Sequence, residues 1–370
     1  NYSRGHYQFT TFLGAGVYVD GGTNVFRNCL IAGNSVRVNT HDNSLAKGDG
    51  VYLLRGVSIF ENCTLIRNNG QGFYYSGGSV TVTNSILWDN LDDLANFPTN
   101  SSGVLTNVWT SCIEDGDNNG TNGCMAADPL FERGLYLATN SPCVNTGGVT
   151  AAAAGLSNYT TRADGTLDSG VVDLGYHFVN GILGSAVGEL YVAPSGVDTN
   201  SGTNWPNAFR SITKALSVAE HGTHINIATG LYNSAGETFP LTMNKFGLEL
   251  LGTNAVATVI KPVGNQRGVF LRGVGFVRIQ GMTVTGGSNS EVYEMPGIGI
   301  GIVNSRLTIA SCIISNNTIY SSDGRGGGIW MKDTFLTMTN SVLTGNTINY
   351  SGYRPSLWQG YGGGICVEGG

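Results

Sequence analysis

Charge is scarce in this sequence: Asp, Glu, Lys and Arg together make up 12% of its 370 residues, about half the share of an ordinary soluble domain. The balance leans acidic, with a formal net charge of −6 and no block of Lys or Arg, so neither nucleic acid nor an anionic membrane is an expected partner. No run of 18 apolar residues occurs, which leaves no helical membrane span to expect. There is no CxxC pair and only five His, too few for zinc or a thiol site with its base. The sequence opens on Asn1 without a recognisable signal peptide, which reads as a mature product or an internal segment of a longer protein.

Glycine, in contrast, is abundant at 56 residues, without the every-third-residue period that collagen needs. Aromatics make up 9%, among many Val, Ile and Thr, and that excludes a disordered chain. Seven cysteines are present, and Cys112 and Cys124 bracket a polar Gly-rich loop. Two readings stand side by side: a disulfide stapling that loop, or free buried thiols.

The decisive feature is an internal repeat. A Gly-rich entry leads into a short apolar strand, a turn, and a second alternating strand. Then come Asn or Ser, Cys or Ser, two apolar positions and a closing Asn. The pattern runs from Gly14 to Asn34, Gly48 to Asn69, Gly72 to Asn90, Gly299 to Asn317 and Gly326 to Asn346. Neighbouring anchors, Cys29, Cys63 and Ser85, then Cys312 and Ser341, lie 34, 22 and 29 residues apart. Irregular spacing around a fixed core means coils of one cross-section carrying loops of different length. Strands of four to six residues alternate one face inward and one outward. We expect Ile313 and Leu343 among the inward residues, and Asn28, Asn62, Asn84 and Asn340 in an amide stack beside the Cys/Ser anchors.

These coils resemble the right-handed parallel β-helix proteins of the pectate-lyase-like superfamily, most closely bacterial secreted and surface members with Gly-Gly-Gly-Ile and Asn-Ser/Cys-x-Ile repeats. Asp128-Pro129-Leu130-Phe131, Ser141 to Gly147 and Asp173-Leu174-Gly175 look like the closing segment of such domains. Tyr191 to Gly196, with Asp198, Gly202, Trp205 and Ala208-Phe209, looks like their opening segment. The resemblance implies an all-β, right-handed single-stranded parallel β-helix with one short capping α-helix. It implies an activity only weakly, because one fold hosts many functions.

The closing segment precedes the opening one. We therefore expect two half-domains in tandem: residues 1–182 end one β-helix, 183–190 link, and 191–370 begin the next. Ile212, Ala215, Leu216 and Ala219 recur at helical spacing, so a cap helix is expected over about 211–220, covering an otherwise unpaired strand edge. Residues 349–370 align without gaps to residues 1–22, with eight identities. That offset suggests a tandem array of units of about 348 residues.

The candidate carboxylates are Asp92 with Asp93, Asp115 with Asp117, Glu291 with Glu294, and Asp323 beside Arg325. In sequence no two of these pairs share a ladder position on neighbouring coils, as a catalytic groove would require. The aromatics Tyr353, Trp358 and Tyr361 share a loop, as do Tyr7, Phe9 and Phe12, and are candidates for stacking on sugars or on a neighbouring unit. The leading expectation is a structural or adhesive extracellular fibre or cell-surface protein. It would assemble with itself end to end, with surface glycans as further partners and no cofactor or metal. The alternative is a carbohydrate-active enzyme or a glycan-binding adhesin of the same fold.

Overall fold

The computed structural model describes residues 12–35, 46–179, 188–289, 296–320, 324–349 and 361–368. The chain divides into two compact units, Asn1–Leu130 with Leu137–Asn180, and Phe131–Tyr136 with Gly181–Gly370. Most of the expected linker lies outside the described residues, and its end does not link: Glu189 and Leu190 already belong to the strand Glu189–Val192.

In the second unit each coil turns through three short strands, such as Glu249–Gly252, Thr258–Lys261 and Val269–Arg272. Stacking gives three parallel sheets of six, five and five strands, with a smaller three-stranded sheet beside them. One inward file runs in register through Leu190, Ile225, Leu250, Ile279, Ile309 and Met338. Its four middle members are fully buried. Each such side chain contributes about 1.5–3 kcal/mol of burial, and the alternation follows from the two-residue pleat. Register also corrects one expectation. Ile314 pairs with Leu343 and is fully buried, whereas Ile313 pairs with Val342 and faces outward.

The cap helix forms over Ile212–Val218, with Ser211 as N-cap. It packs on the strands Glu189–Val192, His224–Ile227 and Leu241–Met243, and Ile212 and Ala215 are fully buried there. Its free amides are answered by Glu237, whose carboxylate accepts Ile212 N and Thr213 N, each at 2.8 Å. The opening segment is built around this end. Asp198 accepts the Arg210 and Ser211 amides. Gly202, at φ +71°, lies so close to the Phe209 ring that a Cβ would stand 2.1 Å from it. The helix is not alone: a four-residue helix, Ala151–Ala154, and a 3-10 turn, Trp205–Asn207, also form.

The first unit has longer strands. Val17–Arg27 pairs with Val51–Glu61, whose two ends pair separately with Gln71–Tyr75 and Ser79–Thr83. The strand bends at Gly56, φ +101°, which stacks between Gly21 and Gly78 so closely that a Cβ would meet Gly21 backbone at 2.6 Å. A second parallel sheet runs Leu30–Ala32, Thr64–Ile66, Ile86–Trp88, Cys112–Ile113. The core holds aromatics: Phe26 stacks on Phe60 at 4.5 Å, and Phe60 meets Phe73 edge-on at 4.8 Å. After the coils, residues 141–179 of this unit close over their turns, with little strand pairing beyond Tyr159–Thr160 and Phe178–Val179. No helix among the described residues is long and apolar enough to cross a membrane.

Candidate functional site

Two features of the first unit are candidates, and both grow out of its turns. The anchors stand where the repeat places them. Ser85 Oγ accepts Cys63 N at 3.1 Å, Ser111 Oγ accepts Ser85 N at 3.2 Å, and Ser341 Oγ accepts Cys312 N at 3.1 Å. Each of these hydroxyls, and the Cys63 and Cys312 thiols, donates to the carbonyl two residues back. Small X–H side chains are required here because they both fill the corner and close this chain of bonds.

The amide stack lies elsewhere. Asn28, Asn62, Asn84 and Asn340 all adopt positive φ, between 49° and 51°, a conformation that Asn tolerates better than most residues. Instead of bonding one another, three of them hold the closing segment. Asn28 exchanges bonds with His177, Asn62 donates to Asp173 O, and Asn84 accepts from Gly148 N. The true amide ladder runs six residues later. Asn34 donates to Asn68 and Asn68 to Asn90, each at 3.0 Å, and Asn317 donates to Asn346 at 3.0 Å.

That ladder leads to the first candidate. Asn90 donates to Asp93 Oδ1 at 2.8 Å, Glu114 N donates to Asp93 Oδ2 at 2.9 Å, and Asp93 N donates to Asp115 Oδ2 at 3.0 Å. The pairs Asp92–Asp93 and Asp115–Asp117 are therefore brought together, against the expectation from sequence. The signal was present: Asp93 and Asp115 lie 22 residues apart, one short coil. Burial, and then the neighbouring Asp115, push Asp93 up to about 7 and Asp117 up to about 6. Raised carboxyls suit acid–base work. Here, however, both oxygens of Asp93 and both of Asp115 already accept protein hydrogen bonds, and no metal-holding group of His, Cys, Asp and Glu occurs among the described residues. The cluster terminates the ladder and pins the 114–118 loop.

The second candidate is a groove of about 620 Å³ alongside the Asn28–Asn62–Asn84 corner. Its walls include Trp109, Val149, Ala154, Thr110 and the ion-paired Arg27 and Glu61. Trp109 is 47% exposed. The backbone along the corner is spent within the coils: Asn28 N, Asn62 N and Asn84 N donate to Glu61, Thr83 and Trp109 carbonyls. Sequence reasoning missed Trp109 because its coil, ending at Cys112, departs from the repeat.

No two cysteines are bonded in this structure, and the Cys112 and Cys124 thiols turn to different neighbours. Cys124 Sγ turns toward Val108 O at 3.8 Å, while Cys112 Sγ donates to Ala127 O at 3.1 Å and lies against the Cys143 thiol. That thiol contact, reinforced by burial, pushes the Cys112 thiol up. Of the contact aromatics, Tyr361 is 48% exposed; Tyr353 and Trp358 lie outside the described residues, as do Tyr7, Phe9, Glu291, Glu294 and Asp323. Arg325 pairs with Glu368 at 2.6 Å.

These features define the class: an all-β parallel β-helix with polar turn ladders. Over residues 194–365 the chain matches the family model described as Protein of unknown function (DUF1565), a family associated with parallel β-helix proteins. No curated protein and no solved structure matches it.

Proposed function

We propose that the protein is a structural or adhesive extracellular element, in a fibre or at a cell surface, built from tandem β-helix units of about 348 residues that stack end to end. One observation carries the reading. In the second unit Ile300, Ile329 and Ile365 form one inward file, and Ile302, Met331 and Val367 another. Ile300, Ile302 and Ile329 are fully buried, Met331 is 7% exposed, yet Ile365 is 39% and Val367 60% exposed. Side chains at positions that the preceding coils bury lie open on the 365–368 strand, an apolar edge that a further coil would cover. The coil that fits is one more of the same kind. Val17, which aligns with Ile365, also points inward, pairing with the fully buried Val51.

Rejoining the chain tests this. Residues 183–370 followed by 23–182 should form one continuous solenoid, melting in one transition with a midpoint above that of the native order. A midpoint no higher would sink the tandem reading. The fibre reading further expects no cleavage of pectin, alginate or other uronic-acid polymers, with or without calcium.

The groove favours a second reading, a glycan-binding adhesin. An exposed indole beside threonine hydroxyls and a self-neutralised ion pair suits a neutral sugar ring, and the three corner amides already donate within the coils. Binding of neutral hexasaccharides, measured calorimetrically and lost in Trp109→Ala, would support it; binding unchanged in that variant would remove the groove from consideration.

A further inference from the structure

The closing segment of the first unit has little sheet to hold it. Its residues 141–147 lie over the last coils, attached through side chains: Ser141 Oγ donates to Pro129 O at 2.6 Å and accepts Cys143 N at 3.1 Å. The same short stretch, Ala127 to Pro129, receives the Cys112 thiol, which donates to Ala127 O at 3.1 Å. Cys112 and Cys143 are thus both tied to one three-residue segment, their thiols touch, and neither has any solvent exposure.

A second thiol contact makes the contrast. Cys29 and Cys63 occupy matching positions on neighbouring parallel coils, one residue before the paired Leu30 and Thr64. In-register neighbours leave their strands side by side at about 4.8 Å. A disulfide needs its Cβ atoms about 3.8 Å apart and its S–S torsion near a right angle, so stacked ladder cysteines are poorly placed to bond. Cys143 is not a ladder residue. It reaches Cys112 from a separate segment, free of that spacing.

We propose that Cys112 and Cys143 are joined by a disulfide that staples the closing segment of the first unit to its last coil. The bond forms by exchange with a low-molecular-weight disulfide such as oxidised glutathione. One cysteine thiolate attacks it to give a mixed disulfide, and the second displaces the remaining glutathione thiolate. Both protons end on two glutathione thiols, so the protein is oxidised by two electrons and the glutathione reduced by two. Because both sulfurs are buried in the folded unit, exchange takes place while the closing segment is still seating. The site goes beyond the fibre reading and stands independently of it.

The test is peptide mapping of the whole chain, refolded in a reduced/oxidised glutathione buffer, then alkylated in denaturant without reduction. A cross-linked peptide pair carrying Cys112 and Cys143, about 2 Da lighter than the two thiol peptides, is the expected result. Recovery of both as alkylated thiols, or a Cys112–Cys124 cross-link, overturns the proposal. Reductant should also lower the unfolding midpoint of the wild-type chain and of Cys124→Ser by about 10 °C. It should leave Cys143→Ser and the Cys112→Ser/Cys143→Ser double variant unmoved. A reductant shift that persists in the double variant would assign the effect to another pair and overturn it equally.

Discussion

The two units build the same coil and finish it differently. In the second, the inward files are aliphatic and the start is covered by a single amphipathic helix, Ile212–Val218, whose amides rest on Glu237. In the first, the core carries aromatics, Phe26 stacked on Phe60 and Phe60 edge-on to Phe73. Its turns are covered by an irregular segment held through polar groups. The repeat thus supplies a middle, and each terminus has to be solved separately. A solenoid middle is nearly interchangeable from coil to coil, because each coil meets only its neighbours; its covers are specific.

The largest expected effect strikes a middle. Ile314→Asp would bury an unpaired charge among Ile, Leu and Val in the second unit, and should abolish its folding. Hydrogen exchange would show protection lost over 224–343 while the first unit's 51–66 stays protected. Ile313→Asp, one residue away on the outward face, should fold. If the two variants exchanged phenotypes, the inward face would be wrong.

Next comes the cover of the first unit. His177 Nε2 lies 2.7 Å from Asp168 Oδ2, its Nδ1 faces Gly175 O at 3.0 Å, and both side chains are essentially without exposure. Asp168 also accepts Asp173 N at 2.9 Å. Asp168→Ala strands two buried donors at once and should cost about 3–5 kcal/mol, read by chemical denaturation. A loss under about 1 kcal/mol would mean the closing segment is only loosely seated.

The repeat was legible because stacking forces it. Cys29, Cys63, Ser85, Cys312 and Ser341 must each be small and carry an X–H group, so the pattern survives variable loops. The cap helix was legible too, through its 3.6-residue spacing. The amide ladder was misplaced by six residues because Asn serves two purposes in each coil, a positive-φ corner and an amide stack, and composition cannot separate them. The carboxylate cluster was missed because Asp93 and Asp115 meet across a coil whose strands, Val108–Trp109 and Cys112–Ile113, are only two residues long. The thiol that lies against Cys112 was not legible, because proximity in sequence to Cys124 says nothing about a segment returning from residue 143.

A smaller effect should appear as pH dependence confined to the first unit. Asp93 is 2% exposed, and its folded-state carboxyl is raised to about 7 from an ordinary 3.8. A raised carboxyl binds its proton more tightly folded than unfolded. Its contribution is therefore full below about pH 4 and is lost as pH climbs toward about 7. Asp93→Asn keeps the shape without the titration. It should flatten the fall in first-unit stability between those limits, leaving the second unit's profile unchanged. A wild-type profile that rises over this window would refute the assignment.

The smallest effect separates stability from function in the groove. Arg27 and Glu61 form an ion pair at its rim, with 70% and 35% of their side-chain surface exposed. At that exposure water and salt screen the attraction, so Arg27→Ala should change unfolding free energy by only about 0–1 kcal/mol. Trp109, 47% exposed at the same groove, likewise buries too little for its truncation to unfold the coil. If the groove is merely the gap left where the closing segment crosses the turns, both variants should be silent in every assay. If it holds a sugar, they should remain silent in denaturation yet lose hexasaccharide binding. Trp109→Ala should lose more than Arg27→Ala, because stacking on an indole uses the whole ring face while a rim hydrogen bond is shared with water.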